Sequence, residues 1–265
     1  MPSGSQARPG NVRPMQVGFI GAGNIARALA RGWDEEVLVS DAGSGRAKQL
    51  AAELGGEALD ARTVAERSDL VVLCHKPAQL EAVAGDIRGH TKAVASVLGA
   101  TSIAKLQDAY PGVPVFRLMP NTPVEVRRGV VCYAPAEGVN PELEDRVIEL
   151  FERLGLVEQM PEAVFETATA VSGVGPAYLA LLAEAQIDAA VRHGLPPALA
   201  DRIVVETMAG TAELLAHRGY DTRAVRREVT SPGGSTARGL AALERAGVRS
   251  AFQDAIDAVA GWSKD

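Results

Sequence analysis

Cysteine, histidine and basic charge are all in short supply in this sequence, and each shortage closes off a class of protein. The 265 residues include two cysteines, Cys74 and Cys132. They lie far apart in apolar, strand-like runs, so a disulfide framework is excluded and two reduced core thiols in a cytoplasmic protein are expected. The four histidines, His75, His90, His193 and His217, show no metal-ligand spacing, and no metal is expected. Lys and Arg number 27 against 33 Asp and Glu, for a net charge of −6. That balance does not suit a nucleic-acid partner. No apolar run approaches the about 20 residues of a membrane span, so no membrane association is expected. Residues 1–14 are rich in Gly, Ser, Pro and Arg and lack an apolar centre. They do not read as a secretory leader and are expected to form a disordered tail. What remains is a soluble globular chain, 47% hydrophobic and 23% charged, long enough for one large domain or two modest ones.

Two glycine-rich turns stand out. The first follows the apolar strand Gln16 to Ile20 and opens a helix reaching about Trp33. It reads Gly21-Ala22-Gly23-Asn24-Ile25-Ala26, the G-x-G-x-x-A form of the dinucleotide fingerprint in its strand–turn–helix context. Gly21 permits the tight turn, Gly23 lets the backbone approach a pyrophosphate, and Ala26 is small enough for the helix to pack on the strand. The second turn, Val229-Thr230-Ser231-Pro232-Gly233-Gly234-Ser235-Thr236, opens a helix over roughly Gly234 to Ala246. Small side chains leave N–H groups free to converge on an anion, and the helix dipole adds positive potential. Its plainer reading is a helix cap built from ordinary capping residues.

Strand and helix alternate as far as about residue 160. Strands are expected at Val37 to Ser40, Leu70 to Cys74, Ala93 to Leu98, Val115 to Leu118, Val130 to Tyr133 and Leu156 to Met160. Helices are expected at Arg46 to Leu54, Ile103 to Ala109 and Pro141 to Leu154. Continuous apolar strands in such an alternation imply a doubly wound, mostly parallel sheet of Rossmann type, an α/β fold covered on both faces. After Pro161 the strand signals stop. Four or five helical stretches follow, broken at Gly173 to Pro176, Gly194 to Pro197, Gly219 and the Ser231 turn. Ala177 to Arg192 is apolar around most of its circumference, which predicts burial, often against a second subunit. The boundaries are therefore a dinucleotide-binding domain over 15–160 and an all-helical substrate-binding and dimerisation domain over 161–265.

Gly18-Phe-Ile-Gly-Ala-Gly-Asn24, Lys76-Pro77, Arg117-Leu-Met-Pro-Asn-Thr-Pro123, Ser172-Gly-x-Gly-Pro-Ala-Tyr178 and Thr230-Ser-Pro-Gly-Gly-x-Thr236 occur in this order. Together they resemble pyrroline-5-carboxylate reductase, over about residues 16–260. The resemblance implies hydride transfer from NADPH, with NADH close behind, to the cyclic imine of 1-pyrroline-5-carboxylate, giving L-proline. It places the cofactor on Gly21, Ala22, Gly23, Asn24, Ile25, Ser40, Ser44, Lys76, Pro77 and Asn121. It places the substrate carboxylate on Ser231 and the backbone around Gly233, Gly234, Ser235 and Thr236, with Ser172 lining the pocket. The hydroxyl of Thr236 takes the catalytic position, hydrogen-bonded to the ring nitrogen. Donor and acceptor carbons must then approach to roughly 3–3.5 Å. The resemblance also implies homodimers that join into rings of ten, with a pocket shared between subunits.

The sequence also departs from that pattern. Val174 stands where the family has a second serine, which keeps reduction of another cyclic imine as an alternative. Cys74-His75 replaces Ala-Val, and the plain reading of His75 is an incidental side chain. For Arg117 the plain reading is an ordinary surface charge. Asp41 follows Gly21 by 20 residues, where an acid binds the ribose of NAD, while Ser44 and Arg46 suit the 2′-phosphate of NADP. A hydroxyacid dehydrogenase of similar plan needs a lysine where this chain has Leu179, and none occurs between Lys105 and Lys264. A cofactor-sensing regulator without turnover needs no second anion cradle, so the intact turn at 230–236 counts against it.

Overall fold

The computed structural model describes residues 13–261; most of the tail expected over 1–14 lies outside them. β1 (Val17–Ile20) leads into α1 (Asn24–Trp33), β2 (Leu38–Ser40), α2 (Arg46–Leu54), β3 (Glu57–Ala58), α3 (Ala61–Arg67), β4 (Leu70–Leu73), α4 (Leu80–Ile87), β5 (Val94–Ser96) and α5 (Ile103–Ala109). Then come β6 (Val115–Pro120), β7 (Gly129–Ala134), α6 (Pro141–Glu152), β8 (Gly155–Gln159) and α7 (Phe165–Ser172). The strands form one sheet ordered β3-β2-β1-β4-β5-β6-β7-β8. All pairs are parallel except β6 with β7. The order reverses between β1 and β4, the switch point beyond whose strand ends such sheets bind ligands.

Side-chain alternation along the strands fills both faces. Phe19, Val39, Val72 and Ala95 join one buried cluster with α1 and α6. Ile20, Leu38, Val71, Leu73 and Val94 join the other, with α3, α4 and α5. That double burial is why the strands read as continuous apolar runs. Trp33 closes the first cluster: its ring stands edge-on to Phe151, centroids 5.2 Å apart, and its indole N–H donates to the Leu150 carbonyl at 2.8 Å.

The chain divides into two compact units between Gly173 and Val174, not at 160. The difference has a cause in packing. Phe165 and Ala170 of α7 are fully buried, and Phe165 belongs to a small cluster with Cys132 and Ala134 of β7. The first helix after the sheet therefore packs with it. The second unit contains α8 (Gly175–Arg192), α9 (Pro197–His217), α10 (Thr222–Glu228), α11 (Ser235–Arg245) and α12 (Val248–Ala260). With α7, six α-helices follow residue 160 among the described residues, one more than the upper expectation. Gly194, Gly219 and Gly247, all at positive φ, separate successive helices. α8 buries no residue within its own chain, and Leu179 and Leu181 are 54% and 64% exposed. The stretch Glu162–Arg192 also reaches, by length and a mean hydropathy of 1.2, what a membrane span requires. It differs there from the expectation drawn from uninterrupted apolar runs.

Candidate active site

The turn after β1 is fixed by its backbone. Gly21 has φ +105 and donates its N–H to the Ser40 carbonyl at 2.8 Å. A Cβ on Gly21 would lie 2.6 Å from the carbonyl carbon of Cys74. That approach, and the positive φ, demand glycine. Gly23 differs: it has φ −77 and ψ −174, and a Cβ there would meet nothing within 4 Å. Its missing side chain keeps space open rather than relieving a clash. α1 has no side-chain cap and no acidic residue in its first turn, so its N-terminal N–H groups and dipole are available to an anion. The open cradle fits a dinucleotide pyrophosphate, with Ala22, Asn24 and Ile25 around it.

At the neighbouring strand end, Ser40 is buried and tied to Gly21, while the next residue, Asp41, organises the turn before α2. Its carboxylate accepts from the Ser44 hydroxyl at 2.5 Å and from the N–H groups of Gly43 and Ala47, both at 3.1 Å. The Ser44 hydrogen bond above all holds the Asp41 carboxyl below its ordinary range. Ser44, expected at the cofactor, donates its hydroxyl proton to Asp41 here.

His75 and Lys76-Pro77 follow β4. Lys76 is exposed; its N–H donates to Gln79 Oε1 at 3.2 Å and Pro77 begins a single 3-10 turn. His75 is half-buried, its Nδ1 lies 2.9 Å from the Lys76 carbonyl, and its Nε2 is buried without a partner. Nδ1 must therefore carry the proton. Burial holds the imidazole pKa below its ordinary value. Burial likewise raises the thiols of Cys74 and Cys132, so neither is an activated nucleophile.

One expectation changes at β6. Arg117 is 3% exposed, not a surface charge. It donates to Glu162 at 2.6 Å and to Glu166, and its guanidinium carbon lies 4.2 Å from the Phe165 ring centre. Glu162 also accepts from the Ile103 N–H at 2.7 Å. Asn121, expected at the cofactor, uses its amide at both ends for the protein: Oδ1 accepts from the Val130 N–H at 2.8 Å and Nδ2 donates to the Ser172 carbonyl at 3.1 Å. Asn121 and Ser172 are thus brought together, and Cys132 Sγ adds a contact to Ser172 Oγ at 3.3 Å. The Ser172 hydroxyl donates to the Ala168 carbonyl at 2.9 Å, leaving only its lone pairs for a ligand.

In the second unit the 229–236 turn is an organised loop. Gly233 has φ +70. Gly234 donates its N–H to the Ser231 carbonyl at 3.1 Å, so that N–H is already spent, contrary to expectation. The first-turn donors of α11 have no side-chain cap, and among the described residues the Thr236 hydroxyl has no partner. Arg238, which sequence reasoning missed, reaches back to the Gly233 carbonyl at 2.9 Å. Its only sequence signal was a cation one turn inside the helix. The Ser231 and Gly233 carbonyls are thus engaged from within, while the first-turn N–H groups of α11 carry no side-chain cap, a polarity that suits an anion.

Comparison with known proteins identifies the family of the chain. Residues 162–265 match a family model described as pyrroline-5-carboxylate reductase dimerisation, and residues 16–99 one described as NADP oxidoreductase, coenzyme F420-dependent. The chain is 34% identical over 254 residues to pyrroline-5-carboxylate reductase of Synechocystis sp., covering 92% of this chain and 95% of that protein. Its structure is similar to 1-pyrroline-5-carboxylate reductase of Streptococcus pyogenes, with TM-score 0.86 and 30% identity over 94% and 98% of the two chains. It is also similar to the Plasmodium falciparum pyrroline carboxylate reductase with NADP bound, with TM-score 0.84 and 28% identity over 94% and 97%.

Proposed function

The chain belongs to the pyrroline-5-carboxylate reductase family, and from that premise we infer that it reduces the C=N bond of 1-pyrroline-5-carboxylate to L-proline at the expense of NAD(P)H. When bound, the dinucleotide supplies a hydride to the imine carbon. A proton must reach the ring nitrogen, because an iminium accepts hydride better than a neutral imine. The balance is one imine acid, one NAD(P)H and one proton consumed, and one proline and one NAD(P)+ formed.

Residue roles follow from the polarity of each cradle. The open space at Gly23 and the uncapped first turn of α1 receive the pyrophosphate. Lys76 and Pro77 border the cofactor at the end of β4. The Ser231 hydroxyl and the N–H groups of Gly233, Ser235 and Thr236 hold the substrate carboxylate, with Arg238 keeping the Gly233 carbonyl engaged. The unpartnered Thr236 hydroxyl meets the ring nitrogen, and Ser172 offers lone pairs to the substrate. The observation that carries this reading is the pair of helix starts, α1 and α11, each preceded by a glycine turn and neither closed by a side-chain cap.

The second unit is the subunit contact. Leu179, Leu181, Ile203 and Val205, all at least 47% exposed, supply an apolar surface for a second copy, giving a homodimer and, by joining dimers, a decamer. That surface, rather than a lipid phase, accounts for the apolar character of 162–192. Two free cysteines suit a cytoplasmic enzyme.

The deciding experiment follows NADPH and NADH oxidation with pyrroline-5-carboxylate and with 1-piperideine-2-carboxylate. Turnover with the five-membered imine acid is expected. Turnover with the six-membered one alone reassigns the substrate, and tight nucleotide binding without any turnover indicates a regulator. Replacing Thr236 by Ala is expected to lower kcat by about tenfold to a hundredfold; unaltered kinetics would remove Thr236 from its role.

A further inference from the structure

We propose that Arg117 is a positioning residue for the imine substrate: through Glu162 and Glu166 it fixes the register of α7 along β6, and with it the place of the Ser172 hydroxyl. The proposal rests on the assignment of Ser172 to the substrate pocket made above, and three observations carry it.

The first is that α7 is fastened at two points along one stretch of chain. Arg117 of β6 donates to Glu162, in the turn before α7, at 2.6 Å and to Glu166 within the helix. Asn121, directly after β6, donates through Nδ2 to the carbonyl of Ser172, the last residue of α7, at 3.1 Å. From Arg117 to Asn121 an extended chain advances about 13 Å, and from Glu166 to Ser172 a helix advances about 9 Å. Helix and strand therefore run side by side in the same direction, and a slip of α7 would disturb both fastenings together.

The second is the difference between the two ends. Ser172 is held by neutral contacts, the Asn121 amide and the Cys132 thiol. The Arg117 end is charged on both sides and shielded: the residue is 3% exposed and its guanidinium carbon lies 4.2 Å from the Phe165 ring centre. Charge-assisted hydrogen bonds are roughly twice as strong as neutral ones, so the Arg117 end governs where the helix sits.

The third is that this cluster is a poor device for stability alone. Arg117 Nε is buried without a partner, and a buried ion cluster is commonly no more stabilising than apolar side chains of the same volume. What the planar fork adds is direction. Each Nη group selects one carboxylate, so a single placement of α7 satisfies both. The helix continues unbroken from Glu166 to Ser172, whose hydroxyl proton is fixed on the Ala168 carbonyl at 2.9 Å. The placement is thereby passed on to the lone pairs that Ser172 offers the substrate.

The test is a double-mutant cycle on the full chain with Arg117→Lys, Ser172→Ala and the two combined. The readouts are KM and kcat for pyrroline-5-carboxylate, and Kd for NADP+ by calorimetry on the same samples. Arg117→Lys keeps the charge and removes the fork. A merely structural role would lower the competent fraction, which reduces apparent kcat and leaves KM unmoved. Arg117→Lys is expected to raise KM about tenfold with Kd for NADP+ unchanged. Ser172→Ala is expected to raise KM at least as much, and adding Arg117→Lys to it should change KM by less than about twofold. Glu166→Gln, which leaves Arg117 paired with Glu162, is expected to give a smaller rise that also vanishes in the Ser172→Ala background, and it replaces Arg117→Lys in the cycle if that variant does not fold. An unchanged KM in Arg117→Lys, or the same rise in both backgrounds, overturns the proposal and leaves Ser172 in its role. An unchanged KM in Ser172→Ala removes Ser172 from the pocket and overturns the proposal with it. Absence of turnover in the wild type overturns the reductase reading and the proposal together.

Discussion

Arg117 illustrates how far one side chain's setting can lie from its sequence appearance. A guanidinium at 3% exposure faces two carboxylates and an aromatic ring. Removing the cation would leave Glu162 and Glu166 as close like charges. Arg117→Met is expected to cost about 3 kcal/mol in urea unfolding, and Arg117→Lys less; a loss below about 0.5 kcal/mol, the scale of a surface substitution, would contradict the buried geometry. His75 leads to a pH prediction. Its folded pKa lies below the ordinary 6.5, so the folded state binds a proton less readily than the unfolded chain. The stability it contributes is present above pH 6.5 and is lost as pH falls through the lower folded value. His75→Val is therefore expected to show a smaller drop in melting temperature between pH 7.5 and 5 than wild type; equal drops would refute it. Neither setting was legible in the sequence, because the groups involved are brought together from positions such as 117, 162 and 166 only by the fold.

Elements were legible where local signals agreed. α2 and α5 begin and end at the expected residues. α2 is bracketed by Gly45 and Gly55, both at positive φ, and α5 by its Ser102 cap. β3 escaped notice because it is two exposed residues long, and α3 and α4 because they are short, with Gly85 interrupting the latter. The antiparallel pairing of β6 and β7 was hidden too, since alternation carries no strand direction. The Gly21–Ala26 fingerprint was readable as a unit, but the different duties of its glycines were not. Gly21→Val is expected to destabilise the fold by about 2 kcal/mol or more, through its positive φ and the Cys74 backbone. Gly23→Val is expected to leave melting within a few degrees of wild type while weakening nucleotide binding at least a hundredfold. Calorimetric melting and nucleotide titration separate the two; similar losses of stability in both variants would refute the distinction.

At the scale of the whole molecule, the switch from sheet to helices was plain from the end of strand signals after Pro161. The division at Gly173 was not, because it depends on Phe165 of α7 packing with Cys132 and Ala134 of β7. The apolar circumference of α8 was also plain, but no residue of it is fully buried within the chain, so apolar character was legible and burial was not. Leu181→Asp is expected to leave the single-chain fold in place and shift sedimentation toward the monomer. An unchanged sedimentation coefficient would place the subunit contact elsewhere.

The eighteen residues of α8, none of them fully buried within its own chain, have a thermodynamic corollary. A second copy seated on that helix, as proposed above, would supply much of its stabilisation, and its ordering would then obey mass action. Dilution should then act as a denaturant: the midpoint of heat unfolding should climb with the logarithm of enzyme concentration, and at high dilution the helical half should come apart first.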